Sequence, residues 1–402
     1  MTTVRISRRQ MLAGMASAFA WSHATAASAQ DTAIDTGRLR VPNDGVTDAT
    51  AALRAAAQAV PDSGGTLRLA PGRYLVSETI FIKGGTSLVG NGATLVAHPR
   101  FRLTREHDAH GGKGMMLLAN MGHDANNFDD RRIAVAAVAF DLSAVPRGEF
   151  HAIRFRKVDG VRVSHCAFQG GGDGTAFLAC RNTEVAYCRA SGTLNCAYDH
   201  WEGTSSALVH DCQADCGHGY GILFTGSGTD TARDDATARD FVARNNIIQG
   251  SSEAAIWICS LSRGSVVANV SVVNNRIRNL RAGSGIGVTG ACQNVVVQGN
   301  DVDGVRGSSA IFVRPDRWNR PSNIMIVANR LTNIFVGDRD IAAIQAVGED
   351  VTVQGNRVTG SYPHLVWAGG DRDRIIDNAG DPARTRFPYA TQGSKHLTVV
   401  QP

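Results

Sequence analysis

Lysine is almost missing from this chain: Lys83, Lys113, Lys157 and Lys395 are the only four among 402 residues. The cations are therefore overwhelmingly arginine, whose planar guanidinium grips carboxylates through two parallel hydrogen bonds. Charge of either sign is sparse, at 19% of residues. Residues 1–30 carry Arg5, Arg8 and Arg9 and no acid, so the formal charge falls from +5 to +2 without them. Such a balanced chain lacks the concentrated basic face that nucleic-acid binding requires, which leaves only a weak preference for acidic ligands. No apolar run is long enough to span a bilayer, and no disordered composition appears. The eight cysteines match no zinc spacing, Cys212-x-x-x-Cys216 being the nearest approach. What remains is a glycine-rich chain with 44 Gly, long enough for one large core and read as one domain.

The first residues stand apart from that domain. Ser7-Arg8-Arg9-Gln10-Met11-Leu12, a short apolar run to Trp21 and Ala27-Ser28-Ala29 resemble a twin-arginine export signal with its cleavage site. The expected division is a signal over 1–29 and a mature domain over 30–402, periplasmic or secreted and free of the membrane after cleavage.

From Val161 to Trp367 the chain repeats itself. Cys166, Cys188, Cys212, Asn246, Asn275, Asn300, Asn329 and Asn356 each follow a β-branched or apolar run and precede another, at spacings of 22, 24, 34, 29, 25, 29 and 27 residues. A period in the twenties marks a solenoid, whose coils must stack because none buries its own apolar face. The triplets Ile222-Leu223-Phe224, Ile256-Trp257-Ile258, Ile286-Gly287-Val288 and Ile311-Phe312-Val313 have the period of two expected of strands. The pattern predicts a parallel β-helix with coils over about 133–368. Strands about 4.8 Å apart let the asparagine amides stack into a ladder, and asparagine tolerates the left-handed backbone of a turn. Cys166, Cys188 and Cys212 take the same place, and we read them as stacked small apolar fillers rather than disulfides.

Ahead of the coils, Asn43-Asp44-Gly45-Val46-Thr47-Asp48 opens a helix that Thr47 or Asp48 could cap. Leu53, Ala56, Ala57 and Val60 share its apolar face, and Pro61 with Gly64-Gly65 ends it. Then come Gly-Gly-Thr66-Leu, Pro71-Gly-Arg-Tyr-Leu-Val and Ser87-Leu-Val-Gly-Asn-Gly-Ala-Thr-Leu. Over residues 43–95 this order closely resembles the opening of the pectate-lyase-like superfamily. The resemblance implies an all-β fold, a right-handed parallel β-helix solenoid with a short N-terminal capping helix, and the repeats extend the likeness to about residue 368. Residues 369–402 then cap or cover the last coil.

Aligning the coils on their turn anchors brings outward residues from distant parts of the chain onto one wall. These are Arg154, Arg156, Asp173, Tyr198, Asp199, His200, Trp201, Glu202, His218, Tyr220, Trp257, Arg314 and Trp318. Tryptophan beside arginine suits sugar rings and carboxylates. In Tyr198-Asp199-His200-Trp201-Glu202 two registers are open. One exposes Asp199 and Trp201; the other exposes Tyr198, His200 and Glu202. The second is preferred because it buries one ionisable side chain rather than two or three. Histidines 107, 110 and 123 invite a metal, but loop histidines are ordinarily solvated. The sequence assigns no cofactor, calcium being the sole candidate.

Two family likenesses bear on this segment. Tyr198-Asp199-His200 followed by His218-Gly219 is loosely similar to the site of mannuronan epimerases and alginate lyases, which implies a histidine and a tyrosine exchanging protons at C5 of a uronate. The proline those epimerases place between Asp and His is absent here. Gly217-His218-Gly219, one coil after Asp199, resembles the Gly-His-Gly motif of polygalacturonases, which implies inverting hydrolysis by carboxylates such as Asp199, Glu202 and Asp173. The paired aspartates and Arg-Ile-Lys of that family are missing. The expectation is an exported enzyme on a uronate-containing polysaccharide, a lyase or C5-epimerase with His200 as base and Tyr198 as its partner. Glu202 and His218 would support them, and Arg154, Arg156 and Arg314 would hold carboxylates. A hydrolase and a noncatalytic glycan-binding protein are the alternatives.

Overall fold

The computed structural model describes residues 33–102, 115–123, 128–145, 150–226, 237–337, 341–381, 385–391 and 396–400. The twin-arginine segment lies outside the described residues, as do His107 and His110. From Ala33 to Val400 the described residues form a right-handed parallel β-helix. Asp159–Ser164, Ala167–Gly170 and Asp173–Leu178 make one coil, and Arg181–Ala186, Arg189–Ser191 and Cys196–Trp201 make the next. Each strand pairs in parallel with its counterpart one coil away: Val161 with Thr183, Phe168 with Ala190, Thr175 with Tyr198. The result is three faces, called here the first-strand, short-strand and third-strand faces. Alternation sends Val163, Val185 and Val209 inward while their neighbours point out, so the core is a column filled by every coil and closed by none.

The corner between the first and short strands carries the ladder. Asn246 donates its amide to Asn275 at 2.9 Å, and the bond recurs from Asn275 to Asn300, Asn300 to Asn329 and Asn329 to Asn356. It runs on to Asn378 at 2.8 Å, with Arg374–Ile376 as a further first strand beyond residue 368. The left-handed residue is not the ladder asparagine but the one before it: Asn245, Asn274, Gly299, Ala328 and Gly355 all have φ between 53° and 64°. That residue makes the bend, which frees the next side chain to point inward. Cys166, Cys188 and Cys212 occupy the same corner, buried and free. The Cys212 thiol points at the Val185 carbonyl at 3.5 Å, as the Asn246 amide points at Val209 at 3.0 Å, so a thiol replaces the amide donor without linking to its neighbours.

The capping helix spans Thr50–Gln58 and buries Leu53, Ala56 and Ala57, with Val60 just after it. Its N-cap residue is Ala49 rather than Thr47 or Asp48. Asp48 still accepts the Thr50 backbone N–H at 2.9 Å and the Ser77 hydroxyl at 2.5 Å, tying the helix to the strand Gly72–Glu78.

Candidate functional site

The third-strand face departs from plain alternation. In Cys196–Trp201, Ala197 and Tyr198 both belong to the main core. The alternation therefore slips at the start of the strand, and Cys196 packs outside that core with Leu223, Cys259, Tyr220 and Trp257. Cys196 stands beside Asp173, which stands beside His151. Two residues past the slip, Arg154, Ala176 and Asp199 form a second row, and Arg156, Leu178 and Trp201 a third.

This overturns the preferred register. Tyr198 is fully buried and donates its hydroxyl to the Gln213 carbonyl at 2.9 Å. His200 is fully buried in an aromatic column, 5.1 Å from the Phe177 ring, 5.3 Å from Phe224 and 6.3 Å from Phe241. Neither of its ring nitrogens has a hydrogen-bond partner, and burial depresses its pKa to about 3. A neutral ring costs less among phenylalanines than the Asp199 carboxylate would in its place, and so the register with Asp199 and Trp201 pointing away from the core is the one adopted.

Outside the core stands a charged cluster that contributes nothing to core packing. Asp173 is fully buried; His151 and Arg154 are 5% exposed and Asp199 is 4% exposed. His151 Nδ1 lies 2.5 Å from one Asp173 oxygen, and the other accepts the Asn195 amide at 2.8 Å. Asp199 Oδ1 has no hydrogen-bond partner. Burial, then the neighbouring Asp173 charge, push the Asp199 carboxyl well above the usual range, and Arg154 opposes them. Ala176 separates Arg154 from Asp199 in their row, and its short side chain leaves room for the two charges to interact across it. His151 escaped sequence reasoning because the slip breaks the period of two that would have paired it with Arg154 and Arg156.

Aromatic residues flank the cluster. Tyr220 and Trp257 stack with centroids 5.1 Å apart, and the indole N–H of half-buried Trp201 has no hydrogen-bond partner. At the corner following these strands, Arg156, Lys157, Arg181, Glu202 and Arg239 surround a pocket of about 130 Å³, and Arg181 lies 4.1 Å over the Phe128 ring. Four cations against one carboxylate suit an anion. Other expected members stand apart. His218 is exposed in a turn. Arg314 is four rungs away, bonded to Gln345 at 2.6 Å and 4.7 Å over Phe312, and Trp318 is 46% exposed beneath Arg317. No group of three or more metal-ligating side chains occurs among the described residues.

A parallel β-helix opened by a capping helix, with charged and aromatic groups gathered on one sheet, defines a pectate-lyase-like protein. The chain belongs to the rhamnogalacturonase A/epimerase, pectate lyase-like family, whose profile matches residues 39–307. No curated protein matches it. Among solved structures it is similar to the A-module of the mannuronan C-5 epimerase AlgE6 from Azotobacter vinelandii, with a TM-score of 0.71 and 15% identity over 92% of this chain and 99% of that one. It is also similar to the surface adhesin PfbA of Streptococcus pneumoniae, with a TM-score of 0.61 and 13% identity over 91% of each chain. An exopolygalacturonase from Thermotoga maritima aligns with a TM-score of 0.57 and 15% identity over 92% of each chain. At these identities the likeness is one of fold.

Proposed function

We propose that this protein hydrolyses an anionic, uronate-containing polysaccharide by acid–base catalysis, with Asp199 as general acid and Asp173 as general base. The observation that carries this reading is the asymmetry of two carboxylates on neighbouring rungs. Asp199 is pushed toward its protonated form by burial and by Asp173, while Asp173 faces His151 and an amide donor. Carboxylates whose surroundings differ in this way divide into a proton donor and a base that activates water. Buried charge that does no packing is expected at a site of chemistry. Arg154 and Arg156 would neutralise the uronate carboxylate, the cationic corner pocket would take a second one, and the Tyr220–Trp257 pair would hold a ring. Membership in a family described by rhamnogalacturonase A supports a polysaccharide substrate.

A second reading is proton abstraction by a lyase or C5-epimerase. The His151–Asp173 contact favours it, because a carboxylate beside an imidazole fixes the orientation of the ring. In that reading His151, not His200, is the base. Incubation with polygalacturonate, rhamnogalacturonan and alginate separates the outcomes. New reducing ends without absorbance near 235 nm support hydrolysis, unsaturated ends a lyase, and an altered uronate ratio without cleavage an epimerase. Asp199→Asn is expected to lower hydrolysis by about 10²–10⁴-fold; wild-type turnover in that variant would overturn the assignment. Turnover that survives chelation is expected of acid–base hydrolysis, whereas its loss would favour a calcium-assisted lyase. No helix among the described residues is long and apolar enough to cross a membrane, and we infer export through the twin-arginine segment. Arg8→Lys with Arg9→Lys should keep the protein in the cytoplasm on cell fractionation.

A further inference from the structure

The short-strand face carries a groove of about 620 Å³ that the proposed chemistry does not use. One outward row along it runs Ala139, Ala167, Arg189, Gln213, Ile247. The depression exists because Ala139 and Ala167 are short where later rungs of the row carry Arg276 and Arg330. Arg73, held to Asp141 at 3.0 Å, walls one end, and Ile247 walls the other. The floor is thus apolar and the sides polar, with Gln169 and Gln213 exposed beside the exposed Arg189, and with the Asp215 carboxylate taken up by the Gln249 amide at 3.0 Å. A primary amide both donates and accepts, as sugar hydroxyls require, and an unburied guanidinium can take a carboxylate in two parallel bonds. Rungs recur about every 4.8 Å, so an extended glycan lying along the helix axis would pass Gln169, Arg189 and Gln213 on three successive rungs.

We propose that this groove is an accessory site that holds an acidic oligosaccharide segment of the polymer, separate from the segment being cut. The short strand and the third strand are consecutive sides of each coil, with the glycine corner Gly170-Gly171-Gly172 between them. A glycan seated on one face therefore does not reach the Asp173–Asp199 pair on the other without turning that corner. The groove grips substrate and leaves the chemical step alone. This rests on the reading of the protein as acting on a uronate polymer.

The test is the double variant Arg189→Ala with Gln169→Ala, both exposed and outside the catalytic cluster. Its mobility is compared with wild type in gels containing polygalacturonate or alginate, and turnover is measured on a short uronate oligosaccharide and on the parent polymer. Polymer binding should weaken about tenfold, as expected for loss of a charge-assisted hydrogen bond and its neighbour. KM for the polymer should rise accordingly, with kcat and KM for the oligosaccharide unchanged. A double variant that is retarded and turns over polymer like wild type would overturn the accessory site while leaving the catalytic reading intact. A wild-type protein that neither binds nor cleaves any uronate polymer would overturn both.

Discussion

His200 and Asp199 are sequence neighbours with opposite fates. The imidazole is sealed among Phe177, Phe224 and Phe241 and stays neutral, since its pKa is about 3. The unfolded chain, with an ordinary value near 6.5, binds a proton there that the folded chain refuses. The stability linked to His200 is thus complete above about pH 6.5 and is lost as pH falls toward 3, on the order of 5 kcal/mol in all. His200→Phe should flatten that acid limb of the stability profile in denaturant titrations and leave turnover intact. Asp199 runs the other way. Its carboxyl is raised in the folded state, so the stability linked to it is complete below about pH 3.9 and is lost as pH rises. Asp199→Asn should therefore raise the melting temperature at neutral pH while it lowers turnover as above, a trade that a merely structural aspartate would not show.

Among the elements, the asparagine corner was legible and the third strand was not. Asparagine at regular spacing before an apolar triplet has few physical uses besides a stacked amide row, and the row forms, extended by Asn378. Asn300 Oδ1 accepts both the Asn275 backbone N–H and its side-chain amide, at 2.9 and 3.0 Å. Asn300→Ala strips the Asn275 backbone N–H of its acceptor and leaves the side-chain amide only the Ala243 carbonyl at 3.0 Å, and should cost about 3 kcal/mol in denaturant unfolding. Cys188→Ala in the same corner removes a thiol that only fills space and weakly donates, and should cost about 1 kcal/mol. The third strand resists such reading because alternation slips once within it, at Ala197 and Tyr198. A single slip exchanges faces, and that is why Asp199 and Trp201 stand outside the core while Tyr198 and His200 fill it.

Along the whole solenoid, position is counted in rungs. Asp199 and Phe312 share a row, separated by Leu223, Trp257 and Gly287, so Arg314 lies four rungs, about 19 Å, from Asp199 and one rung more from Asp173 at the usual strand spacing. Arg314→Ala should leave KM unchanged for a substrate of two or three sugars and raise it for longer ones, as a length series of oligouronates would reveal. Composition and period alone dictated a stacked, arginine-bearing β-helix, because spacing of inward residues is a local property that every coil repeats; the helical cap was implied by the resemblance of residues 43–95. That His151 joins Arg154, Asp173 and Asp199 on that wall, and that Tyr198 and His200 leave it, was decided only by the folded chain. The pairing of His151 with Asp173, and the approach of Asp173 and Arg154 to Asp199, depend on one slip within a strand and on coils in register, and neither is written in the order of residues within a single coil.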